Sequence, residues 1–462
     1  MGFLLKKANR LPEVFTKKGV FSNKDLRKLI IPLVIEQLLA VTIGMADTVM
    51  VSSCGEAAVS GISLVDSINF LLITLFSSLA TGGAVIASQY IGRGDHKSAS
   101  LAAKQLFYAS LALSAVLGVI AVFFRKPVLN MVFGSIEADV MAHAQIYFLL
   151  SAISYPFLAV YNAGAALFRS MGDSRTTMLI SILMNTINIV GNAILIYGFQ
   201  MAAAGAATAS LVSRAVGAII ITVLLLNPRR IIFYDKLHKP EIHLSMLKSI
   251  LQIGVPNGLE NSIFQIGKIL VASIVSGFGT ISITANAVAG NLASLQVIPG
   301  MALGMAMITV VGQCIGAKDY EAVKKYTKKL MLITYGVVWA MTLLMLLFSK
   351  QILSFYSLSE ETTTMTMEVF IVHGICAVIV WPLAFALPNA LRAANDVRFT
   401  MIVSLLSMWI FRIGFSYVLA IYFNMGILGT WIAMCIDWFC RGACFVIRFA
   451  RGKWKNISFI DN

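Results

Sequence analysis

Twelve long apolar stretches dominate this chain of 462 residues. A helix of about 20 apolar residues is long enough to cross the roughly 30 Å hydrocarbon core of a bilayer. The stretches are too long and too uniformly apolar for the alternating strands of a membrane barrel. The sequence therefore predicts an all-α membrane protein with twelve transmembrane helices. The predicted spans are residues 29–52, 59–86, 101–124, 141–167, 177–199, 204–227, 246–276, 283–312, 327–348, 367–391, 399–423 and 427–449.

The composition agrees with a membrane protein and excludes several other classes. Charged residues make up 12% of the chain, against about 25% in a soluble globular domain. The high share of apolar residues excludes an intrinsically disordered chain. The six cysteines have no spacing pattern, which excludes an extracellular disulfide scaffold. Motifs of metalloproteases, serine hydrolases and dinucleotide-binding enzymes are missing, so we expect neither an enzyme nor a bound metal or cofactor.

The basic residues are distributed unevenly between the predicted loops. With the N-terminus inside, 29 of the 36 Lys and Arg residues fall in inner segments and 3 in outer loops. Because positively charged loops stay in the cytoplasm, we expect a multi-pass protein of the cytoplasmic (inner) membrane with both termini cytoplasmic. This topology accounts for the net charge of +15, so we expect no nucleic-acid partner. The remaining four basic residues lie well inside spans: Arg214, Lys268, Arg412 and Arg441.

The two halves of the chain repeat each other. Each half contains six predicted spans, and an even number makes both halves enter the membrane from the same side. We therefore expect two pseudo-symmetric six-helix lobes related by an axis along the membrane normal, an arrangement that suits alternating access. A shift of 224 positions pairs Pro32 with Pro256, Glu36 with Glu260 and Asp95 with Asp319, and a shift of 223 pairs Arg169 with Arg392 and Asp173 with Asp396.

The repeat also predicts the order of segments along the chain. Turns that link helices, and that contact lipid phosphates or the neighbouring lobe, are expected at Gly92–Asp95 and Met171–Arg175. The predicted segments are a basic cytoplasmic N-terminal segment (1–28), an N-lobe (29–227), a cytoplasmic linker (228–245), a C-lobe (246–449) and a cytoplasmic tail (450–462).

Polar residues inside the first lobe are the first candidates for a functional site. A charge at the middle of a bilayer costs about 2.5–3.5 kcal/mol on insertion scales. Glu36 and Asp47 are eleven residues apart on the first helix, which places them on nearly one face. They indicate a cation or proton site, or carboxylates satisfied by neighbouring polar groups. Asn185, Asn188 and Asn192 share a face of the fifth helix and either coordinate a cation or hold helices together.

The second lobe carries a different set of polar residues. Glu260, the repeat partner of Glu36, lies on the seventh helix with Gln265 and Lys268, and Lys268 is a possible partner that would neutralise it. Glu260 is therefore either part of a coupling site or of a structural ion pair. Asp437 and Arg441 have the i,i+4 spacing of an ion pair on the twelfth helix, with Arg412 as a further partner. Asp66, near Asn69 on the second helix, is left without a predicted role.

Several motifs of this chain resemble the multidrug and toxic compound extrusion (MATE) family, bacterial type. The resemblance extends from about Leu26 to Phe449. The order, spacing and duplication of the motifs are specific to the family, although no single motif is. The motifs are Pro32 with Gly44-Met-Ala-Asp47-Thr, Gln89-Tyr-Ile-Gly92-x-Gly-Asp95, Leu167-Phe-Arg169-Ser-Met-Gly-Asp173, Asn188-x-x-x-Asn192, Gly205-Ala-Ala-Thr208 and Leu391-Arg392.

The family resemblance implies two bundles of six helices, a central cleft, and export of organic cations in exchange for protons or sodium ions. Asp47 matches the family's helix-1 acid, and Asn188 matches an amide of the same pocket. The remaining matches to the polar lining of that pocket are Tyr147, Asn162 and Thr208, and Gln265 is a further candidate for lining a substrate pocket.

Two departures from the family pattern bear on the coupling ion. Asn192 stands where several bacterial members have a second Asp. Glu260 comes earlier on helix 7 than the acid of members with a C-lobe ion site, and no acid lies near Trp381-Pro382 on helix 10. A single Asp with amides suits a proton carrier or a weak sodium site. Glu36, Asp47, Asn188, Asn192 and Glu260 are the predicted coupling residues.

The sequence therefore predicts a monomeric antiporter, coupled to protons or sodium ions, that exports amphipathic, cationic drugs or toxic compounds. Its partners would be small amphipathic substrates and membrane lipids. One alternative is a flippase for lipid-linked precursors, from a related family with the same bundle plan. Such a flippase is expected to line its cleft with several cationic side chains. Another alternative is a membrane sensor or scaffold that kept the fold without transport.

Overall fold

The computed structural model of the protein describes residues 21–134, 137–356 and 358–457. Positions 1–20 of the predicted basic segment and positions 458–462 of the predicted tail lie outside the described residues. Within the described ranges the chain forms helices and no β-strand, which confirms the predicted all-α class.

The first half of the described chain contains six long helices. A short helix, Arg125–Phe133, lies between the third and the fourth, and the fifth continues as a π-helix over Ala193–Gly198. The six helices are α1 (Asn23–Ser52), α2 (Glu56–Arg93), α3 (His96–Phe123), α4 (Ala138–Ser170), α5 (Ser174–Asn192) and α6 (Ala202–Leu225).

The second half of the described chain repeats this order. A short helix, Ser349–Ser354, again lies between its third and fourth long helices. The six long helices are α7 (Leu244–Ser276), α8 (Thr280–Gly316), α9 (Tyr320–Leu347), α10 (Glu360–Ile379), α11 (Val397–Ser407) and α12 (Gly426–Ala450).

The long helices agree with the predicted spans. In the described part of the chain, eleven helices, counted with their π-helical continuations, are long and apolar enough to cross a membrane. The remaining one, α1, has 30 residues. Most helices extend beyond the predicted spans because backbone hydrogen bonding continues through polar residues, such as Glu56 and Arg93 at the two ends of α2.

The tenth and eleventh helices are less regular than the sequence predicts. After α10 the chain forms a π-helix over Pro382–Ala386 and then a short α-helix over Leu387–Ala393. Pro382 and Pro388 lack the backbone N–H that a continuous helix would use. After α11 the chain alternates between π- and α-helical turns from Met408 to Tyr422. The predicted span 367–391 is therefore two helical segments rather than one.

The turns between helices preserve the repeat in their backbone. Gly94 and its repeat partner Lys318 have φ angles of 81° and 55°, and Gly172 and its partner Asn395 have φ angles of 80° and 66°. These values lie in the left-handed region, which favours glycine and asparagine. Both halves therefore reverse direction with the same turn geometry, even where a lysine replaces glycine.

Aspartates in these turns begin the helices that follow. Asp95 accepts a hydrogen bond from the Ser98 backbone N–H at 3.0 Å, and Asp319 accepts one from Ala322 at 2.9 Å. Hydrogen bonds from Ser98 hold the pKa of the Asp95 carboxyl below its ordinary value. These carboxylates cap the first turn of α3 and α9.

Two further turn aspartates pair with arginines. Asp173 lies 3.3 Å from Arg230, and Asp396 lies 2.6 Å from Arg448. Burial lowers the pKa of Arg230 from its ordinary value, and the Asp173 carboxylate opposes that change. Asp173 and Asp396 are repeat partners. The first half therefore ties its α4–α5 turn to the segment after α6, and the second half ties its α10–α11 turn to α12.

The described chain divides into two compact units at Gly258, within α7. The predicted linker region packs on α3 of the first unit. Gln105 donates to the Glu241 carbonyl at 2.7 Å, and the Tyr108 hydroxyl donates to the Leu237 carbonyl at 2.8 Å. The segment that joins the repeats is therefore held by side-chain to backbone hydrogen bonds.

Helices α2 and α4 approach each other closely at a glycine. A Cβ atom on Gly61 would lie 2.8 Å from the Val140 carbonyl oxygen and 2.9 Å from the Ala144 nitrogen. Both are backbone atoms and cannot rotate away. Beyond this contact, α2 and α4 share an apolar core that includes Val65 and Phe148.

We predict that Gly61→Ala lowers the free energy of unfolding by about 1–3 kcal/mol, because the added methyl group overpacks the α2–α4 contact. The measurement is thermal unfolding of the purified protein in detergent. Gly290→Ala is the control, since a Cβ there has no neighbour within 4 Å. Equal melting temperatures for the two variants would contradict the prediction.

Candidate functional site

Asp47 on α1 lies against two amides of α5. The side-chain nitrogen of Asn192 donates to Asp47 Oδ1 at 2.7 Å. When the Asn188 amide is oriented to satisfy both of its neighbours, it donates to Asp47 Oδ1 at 2.7 Å and accepts from the Ser210 hydroxyl at 3.0 Å. Both asparagines are buried, and Asp47 is half-buried. The carboxylate is thus held by neutral donors.

The helical repeat explains why these groups meet. Asn188 and Asn192 are one turn apart, so both face α1. Glu36 lies on the same face of α1, where its Oε2 accepts a hydrogen bond from the Thr177 hydroxyl of α5 at 2.8 Å. Asn185 is bonded within its own helix, to Ser181 at 3.4 Å. The acidic face of α1 is therefore turned toward α5.

A second carboxylate belongs to a polar network between α2 and α4. The Tyr147 hydroxyl donates to Asp66 Oδ1 at 3.0 Å, and the Asn69 amide donates to the same oxygen at 3.3 Å. Asn69 in turn accepts from the Tyr155 hydroxyl at 2.8 Å and donates to Ser151 at 3.3 Å. Tyr147, predicted to line the pocket, therefore contacts Asp66 rather than Asp47.

Arg214 on α6 is the basic member of this region. Its Nη1 donates to the Ser154 hydroxyl at 2.6 Å. Its charge interacts electrostatically with both Asp47 and Asp66, and the two carboxylates repel each other. This set has two acids and one base, which leaves one excess negative charge. We call Asp47, Asn188, Asn192, Asp66 and Arg214 the N-lobe polar cluster.

Two further residues of the first unit, Asn162 and Thr208, were predicted to line the pocket. The Thr208 hydroxyl donates to the Ala204 carbonyl of its own helix at 2.7 Å. Asn162 is half-buried on α4. Among the residues that the structure describes, no hydrogen bond connects Asn162 or Thr208 with Asp47.

Glu36 and Glu260 are buried and occupy matching positions in two ion pairs with half-buried arginines. Glu36 lies 3.4 Å from Arg169, and Glu260 lies 2.7 Å from Arg392. All four residues belong to the sequence repeat, so the pair is duplicated together with the fold. The partner of Glu260 is therefore Arg392 of the following segment, rather than Lys268 on the same helix.

The predicted acid of α12 lies in a compact charged cluster. Asp437 Oδ1 accepts from the Ser407 hydroxyl at 2.5 Å, and Arg441 donates to both carboxylate oxygens at 3.1 and 3.2 Å. Arg412 lies 3.8 Å from Asp437. The structure therefore brings Asp437, Arg441 and Arg412 together. Gln265 is half-buried on α7.

Some members of these clusters were not predicted from the sequence. Asp66 was assigned no role, and Arg214 was only counted among the basic residues. The signal in the sequence was that both residues are charged and lie inside predicted spans. A charge inside the membrane is costly unless a partner of opposite sign lies on another helix. In the described residues, no group of three or more His, Cys, Asp or Glu side chains is arranged to hold a metal ion.

Comparison with known proteins gives full-length relatives. The chain is 26% identical over 454 residues to "Uncharacterized transporter YisQ" of Bacillus subtilis (strain 168), covering 95% of this chain and 98% of the relative. It is 26% identical over 442 residues to "Probable multidrug resistance protein NorM" of Thermotoga maritima, covering 94% and 93%. It is 29% identical over 439 residues to the protein of the same name from Bacillus cereus, covering 92% and 94%.

Solved structures show the same fold. "Crystal structure of MATE in the bent conformation" superposes with a TM-score of 0.84 at 19% identity and covers 97% of this chain and 96% of that one. "Outward-facing conformation of a multidrug resistance MATE family transporter of the MOP superfamily" gives a TM-score of 0.85 at 20% identity, covering 94% and 97%.

The family profile matches the chain twice, and the two matches coincide with the sequence repeat. The MatE profile covers residues 32–194 and again residues 256–418, an offset of 224 positions at both ends. The matches include most of both halves. The resemblance noted in the sequence is confirmed: the chain belongs to the MatE family of multi-pass membrane transporters, with bacterial relatives.

Proposed function

We propose that this transporter is an antiporter that exports amphipathic organic cations in exchange for protons or sodium ions, and that Asp47 is the coupling carboxylate. The observation that carries the proposal is the position of Asp47, a half-buried acid held by the neutral amides of Asn188 and Asn192. Two relatives bear the name multidrug resistance protein NorM, which supports drug-like substrates.

An acid held by amides is suited to exchange one cation for another. Hydrogen bonds from neutral donors hold the Asp47 carboxyl without cancelling a charge on it, whereas a direct ion pair with a basic residue would occupy the carboxylate permanently. A proton, a sodium ion or an organic cation can each neutralise it. Because these ligands compete for the same charge, binding of one favours release of the other. This competition couples the two fluxes when the site opens alternately to the two sides.

The net charge of the N-lobe polar cluster supports coupling of export to one positive charge at a time. Asp47 and Asp66 contribute two negative charges, and Arg214 compensates one of them. A single proton or monovalent cation therefore neutralises the cluster. We propose proton coupling in preference to sodium, because the cluster offers one carboxylate with amides at Asp47, and Asp66 is already engaged by Tyr147 and Asn69.

The uneven distribution of basic residues supports an orientation with both termini in the cytoplasm. Of the 36 Lys and Arg residues, 29 then lie in inner segments. In this orientation the protein exports its substrates from the cytoplasm. We further propose that it acts as a monomer in the inner membrane, in contact with lipid.

The two duplicated ion pairs are better suited to hold helices than to carry the coupling ion. Each of Glu36 and Glu260 has a half-buried arginine partner, so neutralising the acid would remove the counter-charge of a half-buried guanidinium. Asp47 has no repeat counterpart, since Val271 stands at its repeat position. We therefore assign the coupling role to Asp47 and a stabilising role to the two glutamates.

We predict that Asp47→Asn abolishes gradient-driven export, because the variant cannot exchange a charge. The measurement is efflux of a fluorescent organic cation from proteoliposomes, with proton and sodium gradients imposed separately. Glu56→Gln is the matched control, since it removes one negative charge at an exposed position. Export by Asp47→Asn at the rate of this control would refute the coupling role.

Asn192→Asp is expected to change the ion dependence of transport. The Asn192 nitrogen lies 2.7 Å from Asp47 Oδ1, so a second carboxylate there would share a proton or bind a metal cation. Like charges oppose ionisation, so the pair retains its proton to higher pH. We expect a pH profile displaced to alkaline values, or a new sodium dependence, in the variant.

The test of this prediction is transport against pH, with and without sodium, in both proteins. Wild-type transport is expected to follow a single protonation and to continue in sodium-free buffer. An absolute sodium requirement of the wild type would refute proton coupling. Identical profiles would show that Asn192 does not border the coupling site.

Glu260→Gln is predicted to lower stability by about 3 kcal/mol, because Arg392 would remain half-buried without its counter-ion. Glu36→Gln is expected to act in the same direction. The measurement is thermal unfolding in detergent, together with transport per folded molecule. The double variant Glu260→Gln/Arg392→Gln should recover part of the loss. An unchanged melting temperature with an altered pH or sodium dependence would instead place Glu260 in ion coupling.

A further inference from the structure

Two free thiols of the second unit lie at one contact between α10 and α12. Cys376 is on α10 and Cys435 is on α12. The proposed export mechanism uses neither of them. The Cys435 thiol lies against the backbone of α10, with its Sγ 4.0 Å from the carbonyl oxygen of Val372. Val372 is one helical turn before Cys376, so Cys435 lies at the turn of α10 that carries the other thiol.

The aromatic side chains around this contact show which faces of the two helices meet. Trp431, Cys435 and Trp438 are spaced by four and three residues, so they share one face of α12. The centre of the His373 ring on α10 lies 5.7 Å from that of Trp431 and 5.2 Å from that of Trp438, in edge contact with both. Cys376 is three residues after His373. Both thiols therefore lie on the faces along which α10 and α12 pack.

The two thiols also interact directly. Each lies within hydrogen-bonding reach of the other. Cys376 packs against the apolar cluster that contains Trp431 and Trp438, the neighbours of Cys435 on α12. A thiol is a weak hydrogen-bond donor and a weak acceptor, so this contact adds little to helix packing by itself. Two sulfur atoms in contact can instead be joined covalently, because rotation of the two side chains brings them to the bonding distance of about 2 Å.

The surroundings leave these thiols open to a small reagent. Both side chains are half-buried, whereas Cys314 is buried. The positive charge of Arg412 attracts a thiolate at Cys435, and the thiolate is the reactive form of cysteine. The pair therefore combines contact between the sulfur atoms, partial exposure and a nearby positive charge.

The contact lies one turn before the interruption of the tenth helix. Helix α10 ends at Ile379, and the following π-helix begins at Pro382. Beyond the interruption α12 again packs closely, since a Cβ atom on Gly442 would lie 3.1 Å from the Cβ of Leu383. Helix α12 thus contacts the chain on both sides of the interruption. Helical segments change their relative direction at such interruptions, so a covalent bond at Cys376 would restrict that motion.

We propose that Cys376 and Cys435 are a redox-active pair, which an azodicarboxamide oxidant converts into a disulfide bond between α10 and α12. One thiolate adds to the N=N bond of the oxidant and forms an S–N bond. The second thiolate attacks that sulfur, so the S–S bond forms and the S–N bond breaks. The two thiols lose two electrons, and the azo group gains them and both thiol protons to become a hydrazine. The disulfide bond fixes α10 to α12 and stops transport until a thiol reductant opens it.

The test treats the full chain in liposomes with diamide, blocks the remaining thiols and digests the protein without reductant. Mass spectrometry of the wild type is expected to find the peptides of Cys376 and Cys435 linked. Export of a fluorescent organic cation should fall to the level of protein-free liposomes, and dithiothreitol should restore it. The linked protein should also melt at a higher temperature in detergent, because the bond constrains the unfolded chain.

The variants separate the pair from the other cysteines of α12. Cys376→Ala and Cys435→Ala should each export after diamide treatment as before it, and the second variant serves if the first fails to fold. Cys440→Ser/Cys444→Ser is the matched control, since it removes two thiols of the same helix and should keep both the linkage and the inhibition. Absence of the linked peptide, a linked peptide with unchanged export, or equal inhibition of Cys435→Ala would overturn the proposal.

Only the export readout rests on the proposed function. The peptide map and the melting temperature require no gradient and no transported ion. If the reduced wild type exports nothing under either gradient, the proposed antiport fails, whereas the linkage still tests the cysteine pair. If export proceeds but no linked peptide forms, the pair fails and the antiport stands.

Discussion

A charge inside the membrane is costly without a partner, and this constraint orders the structure. Glu36 and Glu260 find arginines, Asp437 finds Arg441 and a serine, and Asp66 finds a tyrosine and an amide. Asp47 differs because its direct partners are amides, which leave its charge available. A transporter needs such an incompletely neutralised group, since a fully paired charge gains little from binding a further ion.

The repeat explains which charges are structural. The pairs Glu36–Arg169 and Glu260–Arg392 were duplicated with the fold, and they join equivalent helices in both halves. Val271 stands at the repeat position of Asp47, so the acid that we propose for coupling has no counterpart at that position of the second lobe. The features that the lobes share are thus ion pairs and turns that join helices, whereas the amide-held acid Asp47 belongs to the first lobe.

The sequence predicted the helices well because hydropathy depends on local composition. It also predicted that Asp47 and Glu36 share a face, since the helical period determines that directly. It did not predict that Arg392 pairs with Glu260, because a contact across 132 residues depends on tertiary packing. Lys268 was the nearer candidate along the chain. The interruption before Pro382 was missed because proline lies within many membrane helices without ending them.

The charge balance of the N-lobe polar cluster limits what it can bind. One excess negative charge in the N-lobe polar cluster is satisfied by a monovalent cation and would be overcompensated by a divalent one. A divalent cation would leave a net positive charge inside the membrane, and such a charge is costly without a partner. The cluster therefore fits a carrier of one monovalent cation at a time.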